Sequence, residues 1–195
     1  HIETREFTLA EYGPAKIVEK DEETGPLEAS YRDYYSRDTK EVRQNSESYV
    51  KDMYLADSLT SFEKNDVGDL SQPFIVTFTA QGKRGFTEFQ GATVAIRVEA
   101  IFSRLPSWFL TPEKTDQKTS ETETPKPRTV DWRVVPFLTE WRYRIQPPPE
   151  FRIRALPPDK EEHLGSAVFT QKYSIDDQNV VSAVLRFDSG KMQLN

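Results

Sequence analysis

Four arginines alternate with aromatic and aliphatic residues in the C-terminal half of the chain. Arg142 and Arg144 lie before the run Pro147–Pro149, and Arg152 and Arg154 follow it with the same spacing. On paired strands, such an alternation brings four guanidinium groups to one sheet face, which is suited to binding carboxylates or phosphates. The simpler interpretation is that these arginines pair with neighbouring acidic residues and cover a solvated outer face. We favour the simpler interpretation and keep the four arginines as candidate ligand-binding residues.

The tryptophans are candidates for a sugar-stacking platform, because flat apolar rings bind sugar faces. Trp141 is in phase with Tyr143 and Ile145, so we expect it in the core. Trp108 lies in a segment without strand periodicity and is the candidate carbohydrate-binding residue.

The chain has few residues of the types that bind transition metals or act as nucleophiles. The chain has two histidines, His1 and His163, and no cysteine, so disulfides, thiolate metal sites and cysteine nucleophiles are excluded. His163 follows two glutamates and precedes Leu164 and Gly165, a pattern that predicts an exposed loop histidine. We therefore predict no metal site, no cofactor and no catalytic residue.

Carboxylates are abundant, and glycoside hydrolysis needs only two of them at a fixed separation. The adjacent acids at 21–23, 161–162 and 176–177 lie beside Gly, Pro or Asn, which predicts solvated turns with ordinary pKa values. A carboxylate-based hydrolase is therefore the least favoured function.

Composition narrows the choice of partners. The 195 residues include 26 Lys and Arg against 32 Asp and Glu, a net charge of −6. Nucleic-acid binding depends on clustered basic residues, so we expect no nucleic-acid partner. The chain has no 18-residue apolar run, so we expect no membrane span in this segment. The 12% aromatic content predicts a packed interior.

One helix is predicted, over about residues 38–55. Asp38 and Glu41 have the spacing of a capping box. Apolar and small residues then recur at three- and four-residue intervals and form one stripe for packing on a core: Val42, Ser46, Tyr49, Val50, Met53 and Tyr54.

In most of the remaining chain, apolar and polar residues alternate with a period of two, which predicts β-strands. The predicted strands are 15–20, 27–35, 59–63, 74–80, 87–89, 93–100, 132–138, 141–146, 151–155, 167–175 and 180–188. Turns are expected at Asp21–Pro26, Gln81–Gly85 and Asp176–Asn179, because Gly, Pro, Asn and Asp are concentrated there. The sequence thus predicts a mainly β fold, an antiparallel β-sandwich with one flanking α-helix.

Residues 112–128 have no apolar side chain and mixed charge, which predicts a solvated loop. We expect one β-rich domain over 1–195 with a polar insertion at 112–128; two β subdomains, 1–111 and 129–195, are the alternative. The start of the sequence lacks Met and a signal pattern, so we expect a piece of a longer protein or a processed product.

Several longer stretches resemble one protein family. They are Phe137–Pro157 (FLTEWRYRIQPPPEFRIRALP), Leu164–Ala167, Val184–Lys191, Tyr31–Tyr35, Tyr49–Leu55 and Asp69–Phe74. Together they resemble the β-rich region of unknown function that flanks the core of bacterial multidomain transglutaminase-like proteins. The resemblance implies a transglutaminase-like core domain in the same polypeptide as partner, and an exported protein, periplasmic or on the cell surface. The family's catalytic Cys, His and Asp have no counterpart here, so no catalytic role transfers.

The sequence therefore predicts a non-catalytic accessory domain, not an enzyme, which packs against a transglutaminase- or peptidase-like core or presents substrate to it. The alternative is an independent binding module for an anionic or carbohydrate ligand, using the arginines or Trp108.

Overall fold

The computed structural model describes residues 1–37, 39–96, 101, 105–106, 132–133, 135–153, 155–190 and 193–194. Its two helices are α1 (Pro26–Ser36) and α2 (Thr39–Tyr54). Its strands are β1 (Ile2–Thr8), β2 (Gly13–Glu23), β3 (Ala56–Lys64), β4 (Phe74–Glu88), β5 (Gly91–Val94), β6 (Trp132–Arg133), β7 (Leu138–Gln146), β8 (Lys160–Leu164), β9 (Ala167–Ile175), β10 (Val181–Asp188) and β11 (Gln193–Leu194).

Nine strands form one open mixed sheet, which confirms the predicted mainly β class. The order is β3-β4-β2-β1-β7-β10-β9-β8, with β5 paired to β4, and β6 and β11 form a separate two-stranded sheet. All pairs in the large sheet are antiparallel except β1 with β7, which run parallel. Since β1 and β7 come from opposite sides of segment 112–128, strands from both sides share one sheet. Segment 112–128 itself lies outside the described residues.

Helices α1 and α2 lie on one face of the sheet and enclose the core. Helix α2 confirms the predicted helix and its stripe, since Val42, Ser46, Val50 and Tyr54 are buried; the expected cap, Asp38, lies outside the described residues. The arrangement differs from the predicted sandwich because this sheet face packs on two helices instead of a second sheet. In the described part of the chain, neither helix has the length and apolarity needed to cross a membrane.

The strand predicted at 27–35 was wrong, because this segment forms α1. Pro26 occupies the first turn, a position that its fixed φ and missing N–H suit, and Gly25 precedes it with φ +71°. Residues 31 and 35 are tyrosines four residues apart, and their rings lie 6.3 Å apart on one helix side. Segment 27–35 therefore has the alternation of a strand and also contains a pair of residues, Tyr31 and Tyr35, at helical spacing. The turn expected at Asp21–Pro26 therefore does not join two paired strands, and β2 pairs with β1 and β4.

Buried Arg32 fixes α1 to the loop before β4. Its Nη1 donates to the carbonyl oxygens of Asp66 and Val67 at 3.1 and 3.0 Å, and its Nη2 donates to that of Gln72 at 2.8 Å. Glu28, one helical turn earlier, accepts from both Nε and Nη2. One guanidinium thus provides hydrogen bonds to three loop carbonyl groups that have no partner in the sheet.

The turn predicted at Gln81–Gly85 was also wrong, because β4 runs without interruption from Phe74 to Glu88. The two glycines in it serve close packing. A Cβ on Gly82 would lie 2.5 Å from the Tyr54 carbonyl oxygen, and one on Gly85 would lie 2.7 Å from the Cβ of Ala15. The glycines therefore let α2 and β2 approach β4 closely.

The C-terminal half largely follows the prediction. The strands expected at 141–146, 167–175 and 180–188 correspond to β7, β9 and β10. The turn at Asp176–Asn179 is confirmed, with Asn179 at φ +62° and Asp176 Oδ1 accepting the amides of Gln178 and Val180. The strand expected at 151–155 was wrong for its described residues, which are irregular after the proline run.

We predict that Gly82→Ala lowers the free energy of unfolding by about 1 to 3 kcal/mol, because the added methyl overpacks against Tyr54. Gly91→Ala is the matched control in β5, since a Cβ there meets nothing within 4 Å. Urea denaturation of both variants measures the difference, and equal midpoints would show that β4 does not approach α2 this closely.

Candidate functional site: a buried ionic cluster

Six ionisable side chains lie together beneath the helices, and we call them the ionic cluster. They are His1, which precedes β1; Glu3 and Arg5 of β1; and Glu19, Asp21 and Glu23 of β2. Alternate residues of a strand point to one face, and the antiparallel register places Glu3 opposite Asp21 and Arg5 opposite Glu19. All six residues are buried, from 0% exposed for Glu3, Glu19 and Glu23 to 8% for His1.

Arg5 is at the centre of the cluster. Its Nη2 lies 2.5 Å from Glu3 Oε1 and its Nε lies 3.3 Å from Glu19 Oε2. Its Nη1 donates to the Tyr143 hydroxyl of β7 at 3.0 Å. Burial by itself lowers the pKa of Arg5, but the Glu19 and Glu3 carboxylates outweigh burial and raise it. Burial also raises the pKa of Tyr143, to about 12. Arg5 is therefore a charged group throughout the physiological range.

Glu19 connects the cluster to α2. Tyr49 donates a hydroxyl hydrogen bond to Glu19 Oε1 at 2.8 Å, and Tyr54 donates to Glu19 Oε2. The Tyr54 ring also lies 5.8 Å from Arg5 Cζ, within cation–π range. Tyr49 and Tyr54, five residues apart in the sequence, thus fix α2 over the charged residues of β1 and β2.

His1 has a carboxylate near each of its ring nitrogens. Its Nδ1 is hydrogen-bonded to Glu23 Oε1, and its Nε2 lies 3.8 Å from Glu3 Oε2. Burial by itself lowers the pKa of His1, but the Glu23 hydrogen bond and the Glu3 carboxylate outweigh burial and raise the pKa to about 9. The ring also contacts α1, 6.3 Å from the ring of Tyr31.

His1, Glu3 and Asp21 bring three metal-ligating donor atoms together. One donor atom of each lies within 4.8 Å of the others, and all three residues are buried. A cavity of about 390 Å³ borders the cluster at His1; it is lined by His1, Ile2, Thr24, Gly25, Pro26, Leu27, Pro106, Val135, Pro136, Phe137 and Leu138. Its walls are mainly apolar apart from the imidazole.

The predicted candidate residues that the structure describes, Arg142, Arg144 and Arg152, do not form one site. Arg142 and Arg144 lie on the opposite, solvent-exposed face of β7, and Arg142 Nε donates to Glu140 Oε1 at 2.5 Å. Arg152 follows the proline run in irregular backbone and lines a separate cleft of about 330 Å³ beside Pro147 and Phe151. Arg154 and Trp108 lie outside the described residues. Trp141 is 1% exposed, as expected for a core residue.

Sequence reasoning missed the ionic cluster and misplaced two of its members. The segment at 21–23 was predicted to be a solvated turn, but Asp21 and Glu23 are in β2 at 1% and 0% exposure. A signal was present: the spacings H-x-E-x-R at 1–5 and E-x-D-x-E at 19–23 both have the strand period of two. His163 is exposed as expected, although in β8 instead of a loop, and its Nε2 lies 3.1 Å from Glu161 Oε1.

Comparison with known proteins adds no family or fold assignment. The chain matches no protein-family model, no curated protein and no solved structure. The resemblance to transglutaminase-like proteins remains a prediction.

We predict that Arg5→Met lowers the free energy of unfolding by about 3 to 5 kcal/mol, because it leaves the Glu3 and Glu19 carboxylates buried beside an apolar side chain. Arg186→Met is the control: its guanidinium is 45% exposed and 3.3 Å from Asp188, and such surface pairs contribute below about 1 kcal/mol. Urea denaturation at neutral pH measures both. A loss for Arg5→Met as small as that of the control would contradict a buried, paired Arg5.

Proposed function

We propose that this chain is a non-catalytic accessory domain that packs against a catalytic core in the same polypeptide or presents substrate to it. The supporting observation is the enclosure of the ionic cluster. A catalytic carboxylate has to reach its substrate, whereas Glu3, Glu19, Asp21 and Glu23 are each at most 1% exposed. These carboxylates interact with Arg5, His1 and the tyrosines of α2, and these interactions stabilise the fold.

The surface acids support the same proposal. Several described surface carboxylates form short-range ion pairs, such as Glu47 with Lys51 at 2.7 Å and Asp33 with Arg37 at 2.9 Å. That pairing lowers the pKa of Glu47, which keeps it ionised and unsuited to general-acid chemistry at neutral pH. Asp69 accepts from Ser71 and Gln72, and these bonds lower its pKa in the same way.

The identity of the core rests on the resemblance of Phe137–Pro157 and the accompanying stretches to the β-rich region of bacterial transglutaminase-like proteins. The proposal accordingly includes a transglutaminase-like core as partner and an exported protein, periplasmic or on the cell surface.

The sheet face opposite the helices is the surface we assign to the core. Here Lys20 of β2 and Arg142 of β7 both lie opposite Thr4 of β1, and Val184 of β10 separates Arg142 from Lys172 of β9. Neighbouring strands are about 4.8 Å apart, so the basic groups repeat about every 10 Å along this row. Glu6, Glu22 and Glu140 alternate with them, which gives the mixed polar character of domain–domain interfaces within a chain.

An independent binding module for an anionic ligand is the second candidate, and the row of Lys20, Arg142 and Lys172 is the observation that favours it. Against it, Arg142 is paired with Glu140 at 2.5 Å and Lys20 with Glu22 at 3.2 Å. An anion would have to compete with these carboxylates, so we rank this function second.

We predict that the chain binds the separately expressed neighbouring region of its gene product saturably, and that the double variant Arg142→Glu, Arg144→Glu weakens this association at least about tenfold through charge repulsion. Arg43→Glu is the matched control on the exposed side of α2. Calorimetry measures association, and glutamine–amine transfer by the isolated chain is assayed in parallel.

Absence of association, or transfer activity in the isolated chain, would contradict the accessory role. Absence of association together with arginine-dependent binding of a sulfated oligosaccharide would support the second candidate. An effect of the control equal to that of the double variant would show that the open sheet face is not the docking surface.

A further inference from the structure

We propose that His1, Glu3 and Asp21 form a binding site for a divalent transition-metal ion, with Glu23 holding the imidazole in place. Imidazole nitrogen and carboxylate oxygen are the donor types that Zn²⁺ and its neighbours in the first transition series accept. The inference goes beyond the accessory role and does not depend on it.

The spacing of the donors fits one ion. Their donor atoms lie within 4.8 Å of one another. Two ligands bound at about 2.1 Å from Zn²⁺ are at most about 4.2 Å apart, so side-chain adjustments of roughly an ångström close the site. Glu3 and Asp21 are direct cross-strand partners, so the two carboxylates are held at this spacing by the sheet register.

The Nε2 atom of His1 provides the second, independent observation. The His1 side chain is 2% exposed, and its Nε2 has no hydrogen-bond partner among the described residues; the Glu3 carboxylate, at 3.8 Å, is beyond hydrogen-bond distance. A buried imidazole nitrogen without a hydrogen bond costs free energy, and coordination of an ion between His1 and Glu3 would remove that cost. The nitrogen therefore points to a ligand between these side chains.

Glu23 completes the arrangement that metal-binding histidines usually have. Metal-ligating imidazoles generally give their second nitrogen to a carboxylate, which fixes the ring and strengthens the ligand. His1 Nδ1 is hydrogen-bonded to Glu23 Oε1 in this way, so Nε2 is the nitrogen directed at the ion. Glu23 is thus a positioning residue, not a ligand.

The donor set also selects the class of ion. Mg²⁺ and Ca²⁺ prefer all-oxygen sites, so one imidazole beside two carboxylates favours Zn²⁺, Mn²⁺ or Fe²⁺ over them. Three protein ligands leave a coordination position open. His1 also lines the cavity of about 390 Å³ near Pro26 and Phe137.

We predict that untagged protein freed of metal by a chelator binds one equivalent of Zn²⁺, with release of protons from the ligands as the ion displaces them. His1→Gln and Asp21→Asn should abolish this saturable binding, and Glu23→Gln should weaken it about 10- to 100-fold. His163→Gln is the control, because His163 beside Glu161 is exposed and should leave the affinity unchanged. Titration calorimetry gives affinity and stoichiometry.

A measurement on the unmodified chain keeps the proposal testable if a variant fails to fold. The chain has only two histidines, so ¹⁵N-detected imidazole spectra during a Zn²⁺ titration distinguish their nitrogens directly. The proposal predicts that Nε2 of His1 shifts up to one equivalent of Zn²⁺ while the His163 nitrogens do not.

Three results would overturn the proposal: no stoichiometric Zn²⁺ binding by the unmodified chain, perturbation of His163 instead of His1, or full affinity in folded His1→Gln. Since neither experiment involves the neighbouring core, both are independent of the accessory role.

Discussion

The register of β1 against β2 is the constraint on which the rest of the structure depends. It places Glu3 opposite Asp21 and Arg5 opposite Glu19 on the face that the helices cover. Buried charges are tolerated only when each has partners of the right geometry, so the neighbouring elements have to supply these partners. A slip of one residue would turn all of these side chains to the solvent face and would remove the reason for the surrounding arrangement.

The neighbouring elements meet this requirement from three directions. Helix α2 brings Tyr49 and Tyr54 to Glu19, and β7 brings Tyr143 to Arg5. Helix α1 places Tyr31 beside the His1 ring and is itself fixed to the loop before β4 by Arg32. The apolar core continues on both sides of this polar centre, through Phe74, Val76 and Phe78 of β4 and Trp141 of β7, so the cluster is enclosed by packing. Its six members are therefore held inside the packing and not at the surface.

Local patterns predicted the elements whose burial follows ordinary hydrophobicity. The stripe of α2 and the alternation in β7 and β10 each place apolar residues on the side that the structure buries. Helix α1 was missed because residues 27–35 satisfy both periods, and packing of Tyr35 against Phe62 and Phe74 decides between them. β4 was divided at Gly82 because a glycine needed for close approach to Tyr54 has the same sequence signal as a turn glycine. The ionic cluster was missed because acidic residues near Gly25 and Pro26 indicate a solvated turn unless their partners, which are far away in the chain, are known.

The most direct test of a buried, ion-paired Arg5 is the hydrogen-exchange rate of its Nε–H, measured by ¹⁵N NMR and assigned by comparison with a variant that lacks Arg5. Burial at 2% exposure and bonding to Glu19 predict exchange much slower than for exposed arginines such as Arg142 and Arg186. Exchange of the Arg5 Nε–H as fast as in those two arginines would contradict the ionic cluster and the register that forms it.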